Sequence, residues 1–205
     1  MKIRQRPSHF ELLESELLKF QIELPATQQL TLAAYCDEVT YWNKKINLTG
    51  LIGADMVRRL VVEPAWIGLQ LKPKGVLADI GSGNGSPGIP LHVVCGFEVC
   101  HLIEARARRA AFLRHLVTTL KLPDARVHRA RFEAVSSSLG APNWISLQGV
   151  ALTKEILESI RAVTFPKATI IWMTSPTVRT ALKPTNTLRV PFSDTEVLLF
   201  QLDLS

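Results

Sequence analysis

The sequence feature that most constrains the fold is a short apolar segment that runs directly into a cluster of glycines. Residues 76–80 read Val-Leu-Ala-Asp-Ile, and residues 81–85 read Gly-Ser-Gly-Asn-Gly before a helical pattern begins. Glycines adopt positive φ without strain and let a ligand approach the backbone closely. In open α/β sheets, ligands bind at such a turn, beyond the carboxyl end of a strand. The segment therefore predicts a ligand-binding βαβ unit.

An alternation of strand and helix patterns follows this turn. Strand-like segments lie at residues 76–80, 99–103, 125–128, 144–147 and 169–173, with helical patterns between most of them. This order predicts a parallel sheet that is buried on both faces. Two further strand-like segments, at residues 187–192 and 196–202, are joined by only three residues. So short a connection requires an antiparallel hairpin at the C-terminal end.

The chain before the sheet is helical in pattern. Apolar residues recur at helical spacing over residues 10–24 and 32–46 and in a third stretch that begins at Met56, in which we expect Pro64 to kink or break the helix. The sequence therefore predicts two parts, an N-terminal helical extension over residues 1–70 and an α/β domain over residues 71–205.

Composition places the chain among ordinary globular proteins. Its 205 residues are 47% hydrophobic and 20% charged, and the formal charge of +6 permits a nucleic-acid partner without requiring one. No apolar run approaches the roughly 18 residues that cross a bilayer, and the N-terminus lacks a signal-peptide pattern. The three cysteines form no disulfide framework or zinc motif. We expect a cytoplasmic monomer with no metal and no membrane partner.

The glycine cluster distinguishes between two classes of cofactor. A dinucleotide site expects G-x-G-x-x-G, but here the third glycine comes one residue early and Ser86 stands in its place. The D-x-G-x-G-x-G order instead resembles the S-adenosylmethionine (SAM) loop of class I methyltransferases, in which a carboxylate suits the positively charged groups of SAM. An NAD-type cofactor and a turn without a ligand stay open as alternatives. The predicted SAM-binding residues of this loop are Asp79, Gly81, Ser82, Gly83 and Gly85.

The ends of the next two strands extend this predicted site. Glu104 follows the second strand, where a carboxylate can accept hydrogen bonds from both ribose hydroxyls of a nucleoside. A solvated glutamate is the alternative. Ala105 comes next in the chain, and in this topology the loop after the third strand faces the adenine. We expect backbone groups of Phe132 and Glu133 to contact the adenine amino group.

Three motifs resemble the glucose-inhibited division protein B family. Residues 42–51, Trp-Asn-Lys-Lys-Ile-Asn-Leu-Thr-Gly-Leu, are similar to its W-N-x-x-x-N-L-T signature. Residues 86–91 are similar to its L-P-G-I-P-L segment, and residues 108–113 to its K-R-x-x-F-L helix. The resemblance implies a class I methyltransferase fold with an N-terminal helical extension. It also implies SAM as the cofactor and methyl transfer to guanine N7 of 16S ribosomal RNA in the small ribosomal subunit.

The chain departs from the family pattern on the side expected to hold the substrate. Residues 58–63, Arg-Arg-Leu-Val-Val-Glu, stand where the family shows R-H-x-x-D-S. Residues 147–149, Leu-Gln-Gly, stand in place of S-R-A, and the fifth strand ends without the family's lysine. A diverged or non-catalytic SAM-binding or RNA-binding relative with a different substrate is therefore the alternative function.

The chemistry of guanine N7 limits what these departures remove. N7 carries an in-plane lone pair and is unprotonated at neutral pH, so it needs no general base, and orientation alone can supply the catalysis. We therefore assign no catalytic residue and expect Gln148 to contact the base edge. For RNA contacts we expect Lys44, Asn47, Arg58 and Arg131, with helix capping, domain packing or a solvated surface as the alternative roles.

Overall fold

The computed structural model describes residues 6–163, 167–178 and 182–203 of the chain. The N-terminal part contains the helices α1 (Phe10–Lys19), α2 (Ala26–Asn43), α3 (Gly53–Val57) and α4 (Glu63–Leu71), with a π-helical turn at Arg58–Val62. The strands are β1 (Val76–Ile80), β2 (Val99–Ile103), β3 (Ala125–His128), β4 (Trp144–Gln148), β5 (Lys167–Thr174), β6 (Asn186–Arg189) and β7 (Glu196–Asp203). The remaining helices are α5 (Gly88–Cys95), α6 (Ala107–Thr119), α7 (Phe132–Val135) and α8 (Lys154–Val163).

The strands form one seven-stranded sheet in the order β3-β2-β1-β4-β5-β7-β6. Strands β1 to β5 pair in parallel, whereas β7 is antiparallel to both β5 and β6. The predicted parallel sheet and its antiparallel C-terminal hairpin are therefore confirmed. Because the first five strands are parallel, their carboxyl ends and the loops that follow them meet at one edge of the sheet.

Strand β6 is shorter than the pattern over residues 187–192 predicts. It ends at Arg189, and Pro191 follows, which has no N–H group to donate to the ladder. The backbone N–H of Val190 donates to the carbonyl of Thr195 at 3.1 Å and closes the turn. The side chain of Phe192 stacks on Phe20, with ring centroids 4.1 Å apart, and so joins the turn to the helical extension.

The helical extension differs from the predicted pattern at two points. Helix α1 ends at Lys19, and Gln21 has a positive φ of 55°, so the apolar residues up to Leu24 follow the helix rather than continue it. Pro64 lies in the first turn of α4, and the helical backbone is continuous from the π-helical turn at Arg58–Val62 into this helix. The α-helical hydrogen bonding is thus interrupted just before Pro64, by the π-helical turn, and the kink at this proline stays a prediction.

The extension and the sheet share one hydrophobic core. Its largest cluster joins buried side chains of the extension, such as Leu13 and Val39, to Leu77, Leu102 and Phe112 of the sheet and its helices. The boundary between residues 70 and 71 stays a prediction. Within the described ranges, no helix is long and apolar enough to span a membrane, and no three potential metal ligands cluster together.

Candidate cofactor and substrate site

Three adjoining cavities follow the carboxyl edge of the parallel strands. We call them the β2–β3 cavity, of about 310 Å³, the central cavity, of about 480 Å³, and the β4–β5 cavity, of about 660 Å³. The central cavity shares lining residues with each neighbour. These are Gly81, Glu104 and Arg106 on the β2–β3 side and Arg59, Gln148, Gly149 and Val150 on the β4–β5 side.

The glycine loop after β1 is fastened to the end of β2. The backbone N–H groups of Gly81 and Ser82 donate to the carbonyl of Ile103 at 2.9 and 3.0 Å. The buried hydroxyl of Ser82 donates to the carbonyl of Asp79 at 2.9 Å and accepts the N–H of Ile103 at 3.0 Å. These bonds hold Gly81, Ser82 and Gly83 at the floor of the central cavity. Gly85, also predicted to bind SAM, lines none of the three cavities and packs against Ile89 and Tyr35.

Gly83 leaves space in the cavity that any side chain would fill. Its φ is +50°, and a Cβ there would lie 3.6 Å from Nη1 of Arg109 and 4.0 Å from Oε2 of Glu104. All three residues line the central cavity. The backbone conformation and the free space together explain the glycine, and they fit a ligand that lies directly against the loop.

Glu104 stands between the central and the β2–β3 cavities. The N–H of Gly83 donates to its Oε2 at 3.1 Å, and the N–H of Arg106 donates to its Oε1 at 2.7 Å. The side chain is buried, yet it lines both cavities. Each carboxylate oxygen has a second lone pair, so Glu104 can accept two hydroxyl hydrogen bonds from a ribose. These two free acceptor positions therefore fit the ribose hydroxyls of SAM.

Asp79 lies behind the loop rather than in a cavity wall. Its side chain is fully buried, accepts a 2.6 Å hydrogen bond from the hydroxyl of Ser146, and packs against the first residue of α5, Gly88. Burial raises the pKa of Asp79 from 3.8 to about 6, and the Ser146 hydrogen bond offsets part of that rise. The cofactor role predicted for Asp79 stays a prediction, and its position favours a structural role beneath the loop.

The loop after β3 closes the β2–β3 cavity. Ala105, Arg131, Phe132 and Glu133 all line it, together with Glu104. The ring of Phe132 is buried in the hydrophobic core, which leaves its backbone at the cavity, whereas Glu133 is exposed. The structure thus brings together the residues predicted for the adenine end, and it places Arg131 beside that end.

The W-N-x-x-x-N-L-T segment forms the outer wall of the central cavity. The side-chain oxygen of Asn43 accepts the N–H groups of Leu48 and Thr49 at 2.8 and 3.0 Å, and its amide donates to the carbonyl of Thr49 at 2.8 Å. This side chain therefore shapes the loop that sets Leu48 against the cavity. The guanidinium of Arg109 donates to the carbonyl of Asn47 at 2.9 Å and ties the loop to α6.

Three residues predicted to contact RNA, Lys44, Asn47 and Arg58, line none of the three cavities. Lys44 is exposed at the end of α2. Arg58 donates from Nε to the buried Glu16 at 2.9 Å and from Nη1 to Asp55 at 3.3 Å. Both hydrogen bonds join parts of the helical extension to each other. These contacts favour a structural role for Arg58.

Gln148 ends β4 at the boundary of the central and β4–β5 cavities. Its side-chain oxygen accepts the hydroxyl of Ser86 at 3.3 Å, and Ser86 belongs to the segment that follows the glycine loop. Because that bond engages the oxygen, the amide N–H groups of Gln148 are the donors available to a ligand. The predicted contact of Gln148 with a base edge stays a prediction.

Arg59 is a cavity residue for which the sequence predicted no site role, and the same holds for Arg106 and Arg109 of the central cavity. Arg59 lines both the central and the β4–β5 cavities, although it comes from the π-helical turn of the extension. Nη1 donates to Asp194 at 2.5 Å and to Thr195 at 3.1 Å, across about 135 residues of chain. In the sequence, Arg59 stands four residues before Glu63, which is a helical spacing, and the two side chains form an ion pair at 3.6 Å.

The fold and the site define a class I SAM-dependent methyltransferase. The strand order, the antiparallel β7, the glycine loop after β1 and the acidic residue after β2 occur together in this class. Within it, the chain belongs to the GidB family, whose model, described as rRNA small subunit methyltransferase G, matches residues 28–187.

Individual relatives carry the same name as the family model. The ribosomal RNA small subunit methyltransferase G of Chloroflexus aggregans is 35% identical over 121 residues, which is 58% of this chain and 50% of the relative. That of Wolinella succinogenes is 29% identical over 160 residues, or 78% of this chain and 82% of the relative. The match thus spans half the length of the first relative and most of the second.

A solved structure shares the fold at low sequence identity. An RNA methyltransferase from Salinibacter ruber in complex with S-adenosyl-L-homocysteine superposes with a TM-score of 0.58 and 14% identity. The likeness covers 69% of this chain and 91% of that protein. At this identity it establishes the common fold.

Proposed function

We propose that this chain transfers a methyl group from SAM to N7 of a guanine in 16S ribosomal RNA, and that its partner is the small ribosomal subunit. One observation carries the proposal most directly. The central cavity connects a nucleoside-binding wall, formed by Glu104 and the glycine loop, to a larger cavity at Gln148. Membership of the GidB family and the names of its relatives support ribosomal RNA as the substrate.

The residues of the cofactor half of the site bind SAM and exclude water. When bound, SAM supplies a methyl group attached to a positively charged sulfur. Glu104 holds the ribose through its free lone pairs, and the buried Phe132 and its loop enclose the adenine end. Gly83 keeps the floor of the cavity free, while Leu48 and Leu51 of the extension cover the cavity and exclude water.

The substrate half orients a base without moving a proton. Guanine N7 attacks with its own lone pair, so the protein's contribution is the alignment of N7 with the transferred methyl group. The amide N–H groups of Gln148 suit the O6 acceptor next to N7. Methylation leaves the base positively charged, and a neutral amide beside it avoids the repulsion that a cation would cause.

The proposal extends to the domain organisation of the chain, its oligomeric state and its location in the cell. We assign residues 1–70 to a helical extension that walls the cavity and residues 71–205 to the methyltransferase domain. The protein acts as a monomer in the cytoplasm, where ribosomal subunits are assembled. Arg131, which lines the β2–β3 cavity, and Asn47, whose carbonyl accepts a hydrogen bond from Arg109, are the predicted RNA contacts that this arrangement retains.

The test is transfer of labelled methyl from SAM to small ribosomal subunits that lack this modification, followed by nucleoside analysis. Label in 7-methylguanosine of 16S RNA supports the proposal. A protein that binds SAM by calorimetry but labels no RNA would contradict it and favour the diverged or non-catalytic alternative. The Gly83→Val variant serves as the control, because it should bind no SAM and transfer no label.

A further inference from the structure

The β4–β5 cavity has a single charged side chain in its described wall. Eleven of its twelve lining residues are uncharged, and the exception is Arg59. The guanidinium lies where this cavity meets the central one, beside Gln148. Any anionic group of a substrate that enters the β4–β5 cavity therefore meets Arg59 first.

Two buried residues hold the guanidinium of Arg59 in place. Thr195 accepts a hydrogen bond from Nη1 at 3.1 Å, and its own hydroxyl donates to Oε2 of Glu63 at 2.6 Å. Glu63 is fully buried and pairs with Arg59 at 3.6 Å. Burial raises the pKa of Glu63, while the Thr195 hydrogen bond and Arg59 act against that rise. The guanidinium is thus positioned by buried groups of two distant segments.

The third partner of Arg59 is Asp194, which is exposed rather than buried. The side chain of Asp194 is 73% exposed in the turn between β6 and β7, and it reaches Nη1 at 2.5 Å. Exposed ion pairs stabilise a protein by only about 0.2–1 kcal/mol. The hydrogen bonds recorded for Arg59 all start at Nη1, and a guanidinium has further donors at Nε and Nη2. A stronger, bidentate anion can therefore replace Asp194 without disturbing Glu63 or Thr195.

We infer that Arg59 binds a backbone phosphate of the RNA next to the target base, and that Asp194 occupies the guanidinium until the RNA replaces it. The inference rests on the proposed function and names the residue that holds its substrate. A phosphate is a better partner than the base, because the methylated base is itself positively charged. Asp194 then acts as a carboxylate in the place of a phosphate, and it lowers the affinity for RNA.

The test compares three variants by the binding of a fluorescent 16S RNA fragment, followed by anisotropy. Arg59→Gln should weaken binding by about 10-fold and reduce the slope of log affinity against log salt by about 1. Asp194→Asn should strengthen binding by about 2–5-fold, because the competing charge is removed. Arg189→Gln is the matched control, since Arg189 is an exposed arginine of β6 that pairs with Glu196 and lines none of the three cavities. It should change the affinity by less than about twofold.

The Asp194 variant separates ligand binding from a structural role. If the Arg59–Asp194 pair only held the turn, both variants would weaken RNA binding together, and the inference would be overturned. If Arg59→Gln fails to fold, as judged by SAM affinity and thermal unfolding, the exposed Asp194→Asn still decides the question. Equal binding by Arg59→Gln and wild type would also overturn it. Wild-type RNA binding without methyl transfer would contradict the proposed function alone, because the anisotropy measurement does not depend on the reaction.

Discussion

The two halves of the site are built from contacts of very different range along the chain. On the cofactor side, the bonds from Gly83 to Glu104 and from Ile103 to Ser82 each join residues 21 positions apart. On the substrate side, the bonds that position Arg59 join residues 135 and 136 positions apart. The first half is one βαβ unit, whereas the second combines the helical extension with the C-terminal hairpin.

This difference in contact range shows how the fold can keep its cofactor site while its substrate site changes. The glycine loop and Glu104 depend on each other through backbone hydrogen bonds, so a substitution in either disturbs the same small unit. Gln148 and Arg59 come from separate elements, and neither has a hydrogen bond to residues 81–85 of the glycine loop. The departures from the family pattern are found on the substrate side, in keeping with this independence.

The largest expected effect is that of Gly83→Val on SAM binding. The added side chain would enter the central cavity beside Glu104 and Arg109, and we expect calorimetry to detect no binding, a loss of more than about 100-fold. Backbone strain is controlled by Gly140→Val, because Gly140 has a φ of +69° and open space around it. Both variants should lose about 1–3 kcal/mol of stability, and only the first should lose SAM. Normal SAM affinity in Gly83→Val would refute this position for the cofactor.

Glu104→Ala should produce the next largest effect. Removing the carboxylate deletes charge-assisted hydrogen bonds to the ribose and frees the N–H of Gly83, so we expect SAM to bind about 10-fold more weakly or worse. Titration calorimetry measures the change. Glu133→Ala is the matched control, because Glu133 is an exposed glutamate in the same β2–β3 cavity and should change the affinity less than about threefold. An unchanged dissociation constant in a folded Glu104→Ala protein would remove Glu104 from the ribose site.

Asn43→Ala tests whether the helical extension belongs to the cofactor half. The variant loses three hydrogen bonds that shape the loop over the central cavity, so we expect about 1–3 kcal/mol of lost stability and about 3–10-fold weaker SAM binding. Denaturant unfolding and calorimetry measure the two effects. Lys44→Ala, at the exposed neighbouring position, should change neither. If SAM bound to the folded Asn43→Ala protein as it does to wild type, the extension would not contribute to the cofactor wall.

The cofactor half could be predicted from the sequence because its signals are local. A strand, a glycine turn and an acidic residue after the next strand follow one another within 30 residues, and βαβ geometry brings them together. Gln148 was assigned from the resemblance instead, because residues 147–149 stand in place of the family's S-R-A. The sequence could not show that Asp79 is covered by α5, since only the close approach of Gly88 places it there.

The choice between Arg58 and Arg59 shows why the substrate half was harder to predict. Both arginines lie in the π-helical turn, whose extra residue per turn shifts every later side chain around the helix axis. Arg58 bonds Glu16 and Asp55 of the extension, whereas Arg59, the next residue, lines two cavities. The partners that hold Arg59, in the turn after β6, leave no pattern near it in the sequence, because tertiary packing alone unites them.

Asp79→Asn should have the smallest effect on SAM and so marks the boundary of the cofactor half. Asp79 lines none of the three cavities, and an asparagine oxygen can still accept the hydroxyl of Ser146, so we expect SAM affinity to stay within about threefold of wild type. A loss as large as that of Glu104→Ala would place the Asp79 charge in the cofactor site instead.

Stability should reveal the role of Asp79 more clearly than binding does. Burial raises the pKa of Asp79 from 3.8 to about 6, so the folded protein binds this proton more tightly than the unfolded chain does. The wild-type free energy of unfolding should therefore lose about 1–3 kcal/mol relative to Asp79→Asn as the pH rises from about 4 to above 6. Denaturant unfolding of both proteins at pH 4.5, 6 and 8 measures the difference, and other titrating groups cancel in the comparison. A constant difference across this range would mean that Asp79 is ionised throughout in the folded protein, and that the hydrogen bonds it accepts outweigh the effect of burial on its pKa.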